Sequence, residues 1–471
     1  MIGLCTVIVV LCADRFAGAD PAPHPNILFI LPDQWRAFAT GYAGDPNVKT
    51  PNLDRLAAQS ANFTNAVSTC PVCSPFRASL LTGQRATTHG IFLNDAHLAD
   101  NAVTLGKILD SAGYFTAWIG KWHLNGRGRL SFIPPENRQG FEYWKVCECT
   151  HMYNHSIYFG DTPEQLVWPG YDAFAQTDDA KQYIRDHAKS GKPFALFLAW
   201  GPPHDPYGTA PAEFRQMYHP GDIKLRSNVP NEYAASSKRN LASYYAHCSA
   251  LDRCVGELWR TLRDAGIEKN TILVFTSDHG DMLGSHGMEK KQKPWDEAVR
   301  VPMLWHYPAA LGEGGKKLDA VIASEDLMPT LLGLSGVKAP PSAEGIDFAP
   351  YLRGGENPKP DNAALIECVA PFGEWNRTNG GREFRGIRTG RYTYVRDLAG
   401  PWLLYDNDID PYQNENLADK PAAAEVRARL DGVLSKHLKA AGDGFLPAGK
   451  YLEKWGYADK VDKTGTLPTR P

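Results

Sequence analysis

The sequence lacks any long run of charge of one sign. Its 471 residues carry a formal net charge of −3, and 22% of them are Asp, Glu, Lys or Arg. Proteins that bind nucleic acid or an anionic membrane surface usually concentrate Lys and Arg in blocks, which this chain does not do. The charge pattern therefore predicts no nucleic-acid partner. It favours a partner that is a small molecule or that contacts only a local part of the surface.

Long hydrophobic runs are also absent after the first 19 residues, so no stable membrane insertion is expected. The N-terminus differs, because the apolar run IGLCTVIVVLCA is followed by an AGA tripeptide that ends at Ala19. This small-residue spacing is typical of a signal-peptidase site. Residues 1–19 are predicted to be a signal peptide, and the mature protein to be secreted or periplasmic. An uncleaved anchor is the alternative, because the segment has no basic n-region.

Cysteine is scarce, with nine in the chain, and no double C-x-x-C pattern of a zinc site is present. Two cysteines fall in the predicted signal peptide, which leaves seven, and their spacing does not predict how they pair. An odd number in an exported chain indicates one thiol with another role. We single out Cys73 for that role.

Internal repeats and low-complexity stretches are absent, and the chain instead alternates short apolar runs with amphipathic segments. The alternation predicts an α/β fold whose large, mostly parallel or mixed central sheet is covered by helices on both faces. The runs predicted to be buried strands are PNILFIL (25–31), YFTAWIG (114–120), PFALFLAW (193–200), TILVFTS (271–277) and VPMLWHY (301–307). Helices are predicted near 50–59, 102–113, 178–189 and 233–266.

The pattern changes after KAPPSAEG (338–345). FRGIRTGRYTYVRD predicts a hairpin that turns at Thr389 and Gly390, and a closing helix is predicted over 422–440. We therefore expect an N-terminal domain over 24–345 and a smaller α+β subdomain with an antiparallel sheet over 346–471.

Polar side chains follow four of the predicted strands. In open α/β sheets, ligands bind beyond the carboxyl ends of the strands, so these residues are expected to lie together. They are Asp33, Gln34, Lys121, His123, His204, Asp278 and His279.

Asp33, Gln34, Asp278 and His279 offer oxygen ligands and one imidazole, a set that suits Ca²⁺, Mg²⁺ or Mn²⁺. A single Asp at a strand end is more often a turn residue or a helix cap. Two such acids at the ends of parallel strands favour a metal site.

Lys121 and His123 are two residues apart at the end of an extended run, so both side chains are expected on one face as donors to an anion. The alternative is a solvated lysine beside a hydrogen-bonded histidine. His204 lies in the proline-stiffened turn GPPHDP, and Lys291 lies among other lysines. Taken alone, each of these two residues is typical of a protein surface.

Cys73 precedes Pro75 and the helical segment FRASLLT, which ends at Gly83. The cysteine is therefore predicted at or just before a helix N-terminus, where backbone N–H groups attract anions. A nucleophile that faces an anionic substrate fits this position, and Arg77, one turn further on, could hold an oxyanion. A Cys70–Cys73 disulfide is the alternative, which the intervening proline and Arg77 disfavour.

CSPFRASLLTG resembles the signature of the type I, formylglycine-dependent sulfatases of the alkaline-phosphatase-like superfamily. Further segments resemble sulfatases in the same order along the chain, and they cover most of it. They are PNILFILPDQ, GKWHL, PPHDPY, TSDHGDMLGSHG, KKQKPWDEAVRVP and LYDNDIDPYQNENLAD. The resemblance implies that 24–345 is the catalytic domain and that a maturation enzyme oxidises Cys73 to formylglycine (3-oxoalanine), whose hydrate attacks sulfur.

The resemblance also implies a role for each residue of the set. Arg77 would orient the nucleophile, and His204, aided by Lys291, would protonate the leaving oxygen. The implied sulfate ligands are Lys121, His123, His204 and Lys291, with Asn94 in the pocket, and the implied metal ligands are Asp33, Gln34, Cys73, Asp278 and His279.

Three residues depart from the family pattern. Phe76 replaces a serine common in the signature, Gln34 replaces a second aspartate, and His279 replaces a frequent asparagine. Ca²⁺ is the usual ion of the family, and the imidazole also suits Mn²⁺. The expected function is an exported sulfatase that acts on a sulfated carbohydrate. The alternatives are a phosphonate monoester or phosphodiester hydrolase and a non-catalytic sulfated-glycan binder.

Overall fold

The computed structural model describes residues 24–468, so the predicted signal peptide lies outside the described residues. The strands are β1 Asn26–Ile30, β2 Ala61–Val67, β3 Phe115–Lys121, β4 Tyr143–Cys147, β5 Ile157–Tyr158, β6 Leu166–Val167, β7 Phe194–Ala199, β8 Thr271–Thr276, β9 Met303–His306, β10 Lys316–Ala323, β11 Ala363–Cys368, β12 Phe384–Thr389, β13 Tyr392–Asp397 and β14 Gly400–Asp406.

The α-helices are α1 Pro51–Ala57, α2 Cys73–Thr82, α3 Ala86–His89, α4 Leu105–Ser111, α5 Asp172–His187, α6 Ala212–Arg215, α7 Ala234–Asp264, α8 Asp296–Val299, α9 Pro308–Leu311, α10 Leu327–Ser335, α11 Ala349–Leu352, α12 Ala424–Ala440 and α13 Ala448–Lys454. Among the helices of residues 24–468, none is both long enough and apolar enough to span a bilayer.

Eight strands form the central sheet in the order β10-β2-β9-β8-β1-β7-β3-β4. The five strands predicted from apolar runs are confirmed as β1, β3, β7, β8 and β9. Strand β9 runs antiparallel to both β8 and β2, whereas β1 is parallel to β7 and β8, so the sheet is mixed. The α/β fold class is confirmed, and the carboxyl ends of β1, β3, β7 and β8 share one edge of the sheet.

The sheet separates two hydrophobic layers, as expected for strands buried on both faces. In β1, Ile27 and Phe29 pack into one layer, whereas Leu28 and Ile30 pack into the other. Helices α2, α4 and α10 contribute to the first layer, and α1, α5 and α7 contribute to the second. This packing fixes the strand ends that carry the polar residues.

Two local features fix the position of the N-terminus of α2 and of the end of β3. Val72 is the extended N-cap of α2, and the helix stops at Gly83, whose φ of 66° is left-handed. Gly120 in β3 has φ of 100°, and a Cβ there would lie 2.1 Å from the carbonyl oxygen of Ala199. Glycine is therefore required immediately before Lys121.

The second sheet is antiparallel, in the order β11-β12-β13-β14, and the predicted hairpin is confirmed as β12 and β13. The closing helix is confirmed as α12, whose Leu430 and Leu434 pack on Ile387 and Tyr394 of this sheet. The sheet is joined to the larger domain near the edge where β1, β3, β7 and β8 end, because Glu367 N–H donates to the carbonyl oxygen of Thr69 at 2.7 Å.

Candidate active site

Four buried side chains meet at the shared edge of the central sheet. The potential ligand atoms of Asp33, Cys73, Asp278 and His279 all lie within 4.8 Å of one another. Asp33 follows β1, Asp278 and His279 follow β8, and Cys73 is the first residue of α2. The edge predicted from the strand pattern is therefore where the structure brings these residues together.

The Cys73 thiol is the centre of this group. Its Sγ lies 3.2 Å from His279 Nε2 and 3.2 Å from Lys291 Nζ, with Lys121 Nζ at 3.6 Å. Burial and the Asp33 carboxylate oppose ionisation of the thiol, but the surrounding cations outweigh them and hold the pKa of Cys73 well below its ordinary value. None of the cysteines in residues 24–468 forms a disulfide, so Cys70 and Cys73 are both free.

Arg77 holds the two acids of the group in place. Its NH2 lies 3.2 Å from Asp33 Oδ2 and 3.2 Å from Asp278 Oδ2, and its NH1 donates to the carbonyl oxygen of Lys121 at 2.8 Å. Lys121 Nζ donates to Asp33 Oδ2 at 2.7 Å. Burial and the nearby Asp33 carboxylate raise the pKa of Asp278 to about 6. Two carboxylates packed this closely form an acceptor set that a cation would stabilise.

Gln34 is oriented by residues that the sequence analysis did not single out. Its Nε2 donates to Asp281 Oδ2 at 2.7 Å and lies 3.4 Å from the Tyr207 hydroxyl. The amide nitrogen is therefore occupied, while Oε1 lies 3.5 Å from Lys291 Nζ at the thiol side of the group. Asp281 lies three residues after Asp278 in the segment TSDHGDM. This proximity is the sequence feature from which Asp281 could have been identified as part of the site.

His204 and Lys291 are in direct contact although 87 residues separate them. Lys291 Nζ lies 2.7 Å from His204 Nε2, and His204 Nδ1 lies 2.9 Å from the carbonyl oxygen of Asp205. A carbonyl oxygen only accepts, so Nδ1 carries a hydrogen and Nε2 accepts from the lysine. Burial and the charge of Lys291 hold the pKa of His204 well below its ordinary value. Both residues are buried in the site, not on the surface that their local sequences indicate.

His123 and Asn94 lie beside the α2 N-terminus. Asn94 Oδ1 accepts from the backbone N–H of Ser74 at 3.1 Å, and Ser74 Oγ donates to the carbonyl oxygen of His123 at 2.7 Å. His123 Nε2 lies 3.2 Å from Asp95 Oδ1, and the buried Nδ1 has no partner within residues 24–468. The alternation expected from an extended run is wrong here, because β3 ends at Lys121 and His123 has a left-handed φ of 63°.

A further residue missed from sequence is His151, whose ring stacks on that of His204 with centroids 4.6 Å apart and an interplanar angle of 12°. It lies in the segment between β4 and β5, far from the motifs in sequence. The stack helps to hold the His204 ring in its orientation. No local sequence pattern predicts such a contact between distant segments.

The family model described as sulfatase matches residues 25–337, and the model described as N-sulphoglucosamine sulphohydrolase, C-terminal, matches 284–440. The chain belongs to the sulfatase family. It is 44% identical to an ulvan-active sulfatase of Formosa agariphila over 93% of this chain and 86% of that protein. It is 29% identical to an endo-4-O-sulfatase of Bacteroides thetaiotaomicron over 85% of this chain and 89% of the relative.

Solved sulfatase structures share the fold. A putative sulfatase from Bacteroides fragilis superposes with a TM-score of 0.82 at 29% identity, over 93% of this chain and 99% of the other. The resemblance seen in the sequence is thus confirmed, and the chain is a sulfuric ester hydrolase.

The residues at the sheet edge fit the metal that the sulfatase family implies. The set offers carboxylate oxygens from Asp33 and Asp278, the amide oxygen of Gln34 and the imidazole of His279. Hard divalent cations prefer oxygen ligands, and the crowding of the two acids supplies the negative charge that they require.

Proposed function

We propose that this sulfatase is exported and removes sulfate groups from a sulfated polysaccharide or its fragments, with formylglycine made from Cys73 as the nucleophile. The observation that carries the proposal is the position of Cys73 Sγ, within 3.6 Å of Lys121, Lys291 and His279 at the first residue of α2. Two relatives support the substrate class, because one is named for ulvan and the other for endo-4-O-sulfatase action.

Asp33, Gln34, Asp278 and His279 would hold the cation together with the modified Cys73. A bound divalent cation neutralises charge on the sulfate oxygens and activates the nucleophile. Ca²⁺ is the ion that best fits a mainly oxygen donor set, and Mn²⁺ or Mg²⁺ are the alternatives. Formylglycine, when present, supplies an oxygen nucleophile in place of the thiol, and its formation requires a maturation enzyme.

The remaining residues bind the substrate and move protons. Lys121, His123 and Lys291 present positive charge or N–H donors for the sulfate oxygens, and the unpartnered Nδ1 of His123 is free to take part. Asn94 positions the α2 N-terminus beside them. Arg77 keeps Asp33 and Asp278 fixed, so the acceptor set needs no rearrangement when substrate binds.

The leaving oxygen requires a proton, and the Lys291–His204 pair is placed to supply it. The proton that Lys291 Nζ directs at His204 Nε2 would pass to that nitrogen and from it to the leaving oxygen, so that His204 ends neutral as it began and Lys291 ends as the neutral amine. Positioned general acids contribute ~10²–10⁴ in rate.

Peptide mass spectrometry across residues 69–77 tests the proposal. Protein made in a host with the maturation machinery should show the mass decrease expected when the thiol side chain becomes an aldehyde. The Cys73→Ala variant should fold and lose turnover, while Cys70→Ala, which alters a buried thiol in the same segment, should retain it. An unmodified thiol in protein that still binds sulfated glycan would instead support a non-catalytic binder.

A substrate panel separates the proposed reaction from that of a phosphonate monoester or phosphodiester hydrolase. Sulfated oligosaccharides should be hydrolysed with the highest kcat/KM, and phosphonate monoesters with a lower value. Cell fractionation with N-terminal sequencing of the mature protein tests export, and a start near residue 20 is expected.

A further inference from the structure

Arg36 is a buried cation that lacks an ion-pair partner within residues 24–468. Only 2% of the residue is exposed, one NH2 lies 3.2 Å from the Tyr245 hydroxyl, and the buried Nε has no hydrogen-bond partner. A guanidinium remains charged at all ordinary pH values, and a buried charge is costly unless it is paired. The nearby charges of Asp45 and Glu297 help to raise the pKa of Arg36, but neither carboxylate forms an ion pair with it, so Nε is left available to an anion or to waters.

The space beside Arg36 is large enough for such a group. A cavity of about 180 Å³ is lined by Arg36, Asn47, Lys224, Arg226, Tyr245 and Tyr412, among others. A single water takes ~30 Å³ of liquid volume, so the cavity holds several waters or one tetrahedral oxyanion. None of the residues assigned to the candidate active site lines it.

The charges around the cavity leave a positive excess. Arg226 is paired with Glu297, with Nε 2.9 Å from Oε1. Asp45, the acid in the lining, already accepts from the Tyr245 hydroxyl at 2.7 Å and from the backbone N–H of Asn47 at 2.8 Å. Lys224 is exposed and has no ion pair in the described part of the chain, so Arg36 and Lys224 together face one hydrogen-bonded carboxylate.

We propose that this cavity, the Arg36 pocket, is an accessory binding site for a tetrahedral oxyanion. The planar guanidinium of Arg36 offers unused donors in the geometry that such anions accept, and Lys224 adds positive charge. A sulfate group is the ligand, either as the free ion released by turnover or as an ester on the glycan chain. The choice of sulfate rests on the proposed function, whereas the existence of an anion site does not.

The pocket is linked to the active site through one side chain. The Tyr244 hydroxyl donates to the carbonyl oxygen of Gln34 at 2.8 Å and lies 3.0 Å from the backbone nitrogen of Arg36, and Tyr245 follows in α7. An anion bound in the pocket is therefore expected to affect the backbone position of Gln34, one of the proposed metal ligands.

Crystals of the full-length protein soaked in selenate provide the direct test, because selenium scatters anomalously and replaces sulfur in the same tetrahedral ion. An anomalous peak within hydrogen-bond distance of Arg36 is expected, separate from any peak at Cys73. Water density in the pocket, with selenate only at Cys73, would overturn the proposal. In a parallel soak with a sulfated disaccharide, an ester group in the pocket would assign the glycan as the source, and selenate alone would assign the free ion.

A solution measurement gives an independent readout. In the Lys291→Ala background, which weakens the catalytic pocket, sulfate should raise the unfolding temperature more than chloride does at equal ionic strength. Arg36→Gln should reduce the apparent sulfate affinity at least tenfold, Arg36→Lys should retain part of it, and the exposed control Arg215→Gln should leave it unchanged. Equal sulfate dependence in the Arg36→Gln and Arg215→Gln proteins would contradict the proposal. If Arg36→Gln does not fold, the selenate soak decides alone.

The soak also separates the two proposals of function. Selenate bound at Arg36 of a protein that hydrolyses no sulfate ester would retain the anion site and reject the catalytic proposal. The opposite result would retain the catalytic proposal and reject the anion site.

Discussion

Lys291 Nζ donates to His204 Nε2 at 2.7 Å, and Lys291 is at the same time 3.2 Å from Cys73 Sγ. The lysine thus joins the proposed nucleophile to the residue that we propose as the donor to the leaving group. Burial lowers the pKa of Lys291, but the negative charges of Cys73 and Asp33 outweigh this effect and raise it. The lysine is therefore a charged donor, and His204 is its neutral acceptor.

Replacement of His204 should affect substrates according to their leaving group. We expect His204→Ala to lower kcat/KM by ~10²–10⁴ for sugar sulfates, whose alcohol leaves poorly without a proton. Activated aryl sulfates should lose much less, because a phenolate leaves without assistance. Measurement of kcat/KM across a series of aryl sulfates of increasing leaving-group pKa gives the comparison. His219→Ala, at an exposed histidine, is the control, and an equal loss on all substrates in His204→Ala would contradict the general-acid role.

Asp281 should control metal affinity without touching the metal. It accepts from Gln34 Nε2 at 2.7 Å and from the backbone N–H of Lys290 at 2.9 Å, so it fixes which end of the Gln34 amide faces the site. Asp281→Asn should weaken Ca²⁺ binding by roughly 10–100-fold, as for other residues that orient ligands. The apparent affinity can be obtained from the rise in unfolding temperature with added Ca²⁺.

The Ca²⁺ titration carries its own controls. Asp264→Asn alters an exposed acid and should leave the affinity unchanged. Tyr207→Phe, which removes only the hydroxyl near Gln34 Nε2, should have a smaller effect than Asp281→Asn. An Asp281→Asn protein with undiminished Ca²⁺ affinity would contradict the role of Asp281 in orienting Gln34.

In the central sheet, the strands that are buried along almost their whole length were predictable, because they are continuous apolar runs in the sequence. Strand β7 is fully buried, whereas the edge strand β10 has its first four residues at least partly exposed and begins with two lysines. Strands β2 and β4 carry polar residues for a similar reason, since parts of both face solvent. Half-buried strands near the sheet edges therefore gave no apolar run to detect.

The residues of the candidate active site likewise divide into those that the sequence predicted and those that it did not. Residues such as Asp33 and Asp278 were predictable because they follow buried strands and share an edge of the sheet. The contacts of Gln34 with Tyr207 and of His204 with His151 join segments far apart in sequence, and no local pattern encodes them. The sequence also did not predict local backbone conformation, since His123 has a left-handed φ.

Phe76, which departs from the family signature, is a core residue in this chain. It is 1% exposed and packs in the same hydrophobic layer as Leu80. Phe76→Ser should therefore reduce the free energy of unfolding by about 3–5 kcal/mol, since truncation of a buried phenylalanine leaves a cavity. Urea unfolding of the purified variant measures the loss. Phe132→Ala, at a half-buried phenylalanine, should cost less, and equal values would show that Phe76 does not pack as described.

Asp172, the first residue of α5, should make stability depend on pH. Its burial raises its pKa to about 7, and only Oδ2 is hydrogen-bonded, to the Ser156 hydroxyl at 2.9 Å. The folded state favours the protonated acid, whereas the unfolded chain ionises it near its ordinary pKa. The folded state therefore loses stability as pH rises from about 4 toward 7, on the order of a few kcal/mol.

Asp172→Asn removes this titration, so the variant should gain stability relative to the wild type between pH 5 and pH 8. Urea unfolding at both pH values gives the difference, and Asp186→Asn, at an exposed acid of the same helix, should show none. A wild-type protein that loses no stability relative to Asp172→Asn over this range would mean that Asp172 is ionised and hydrated in the fold.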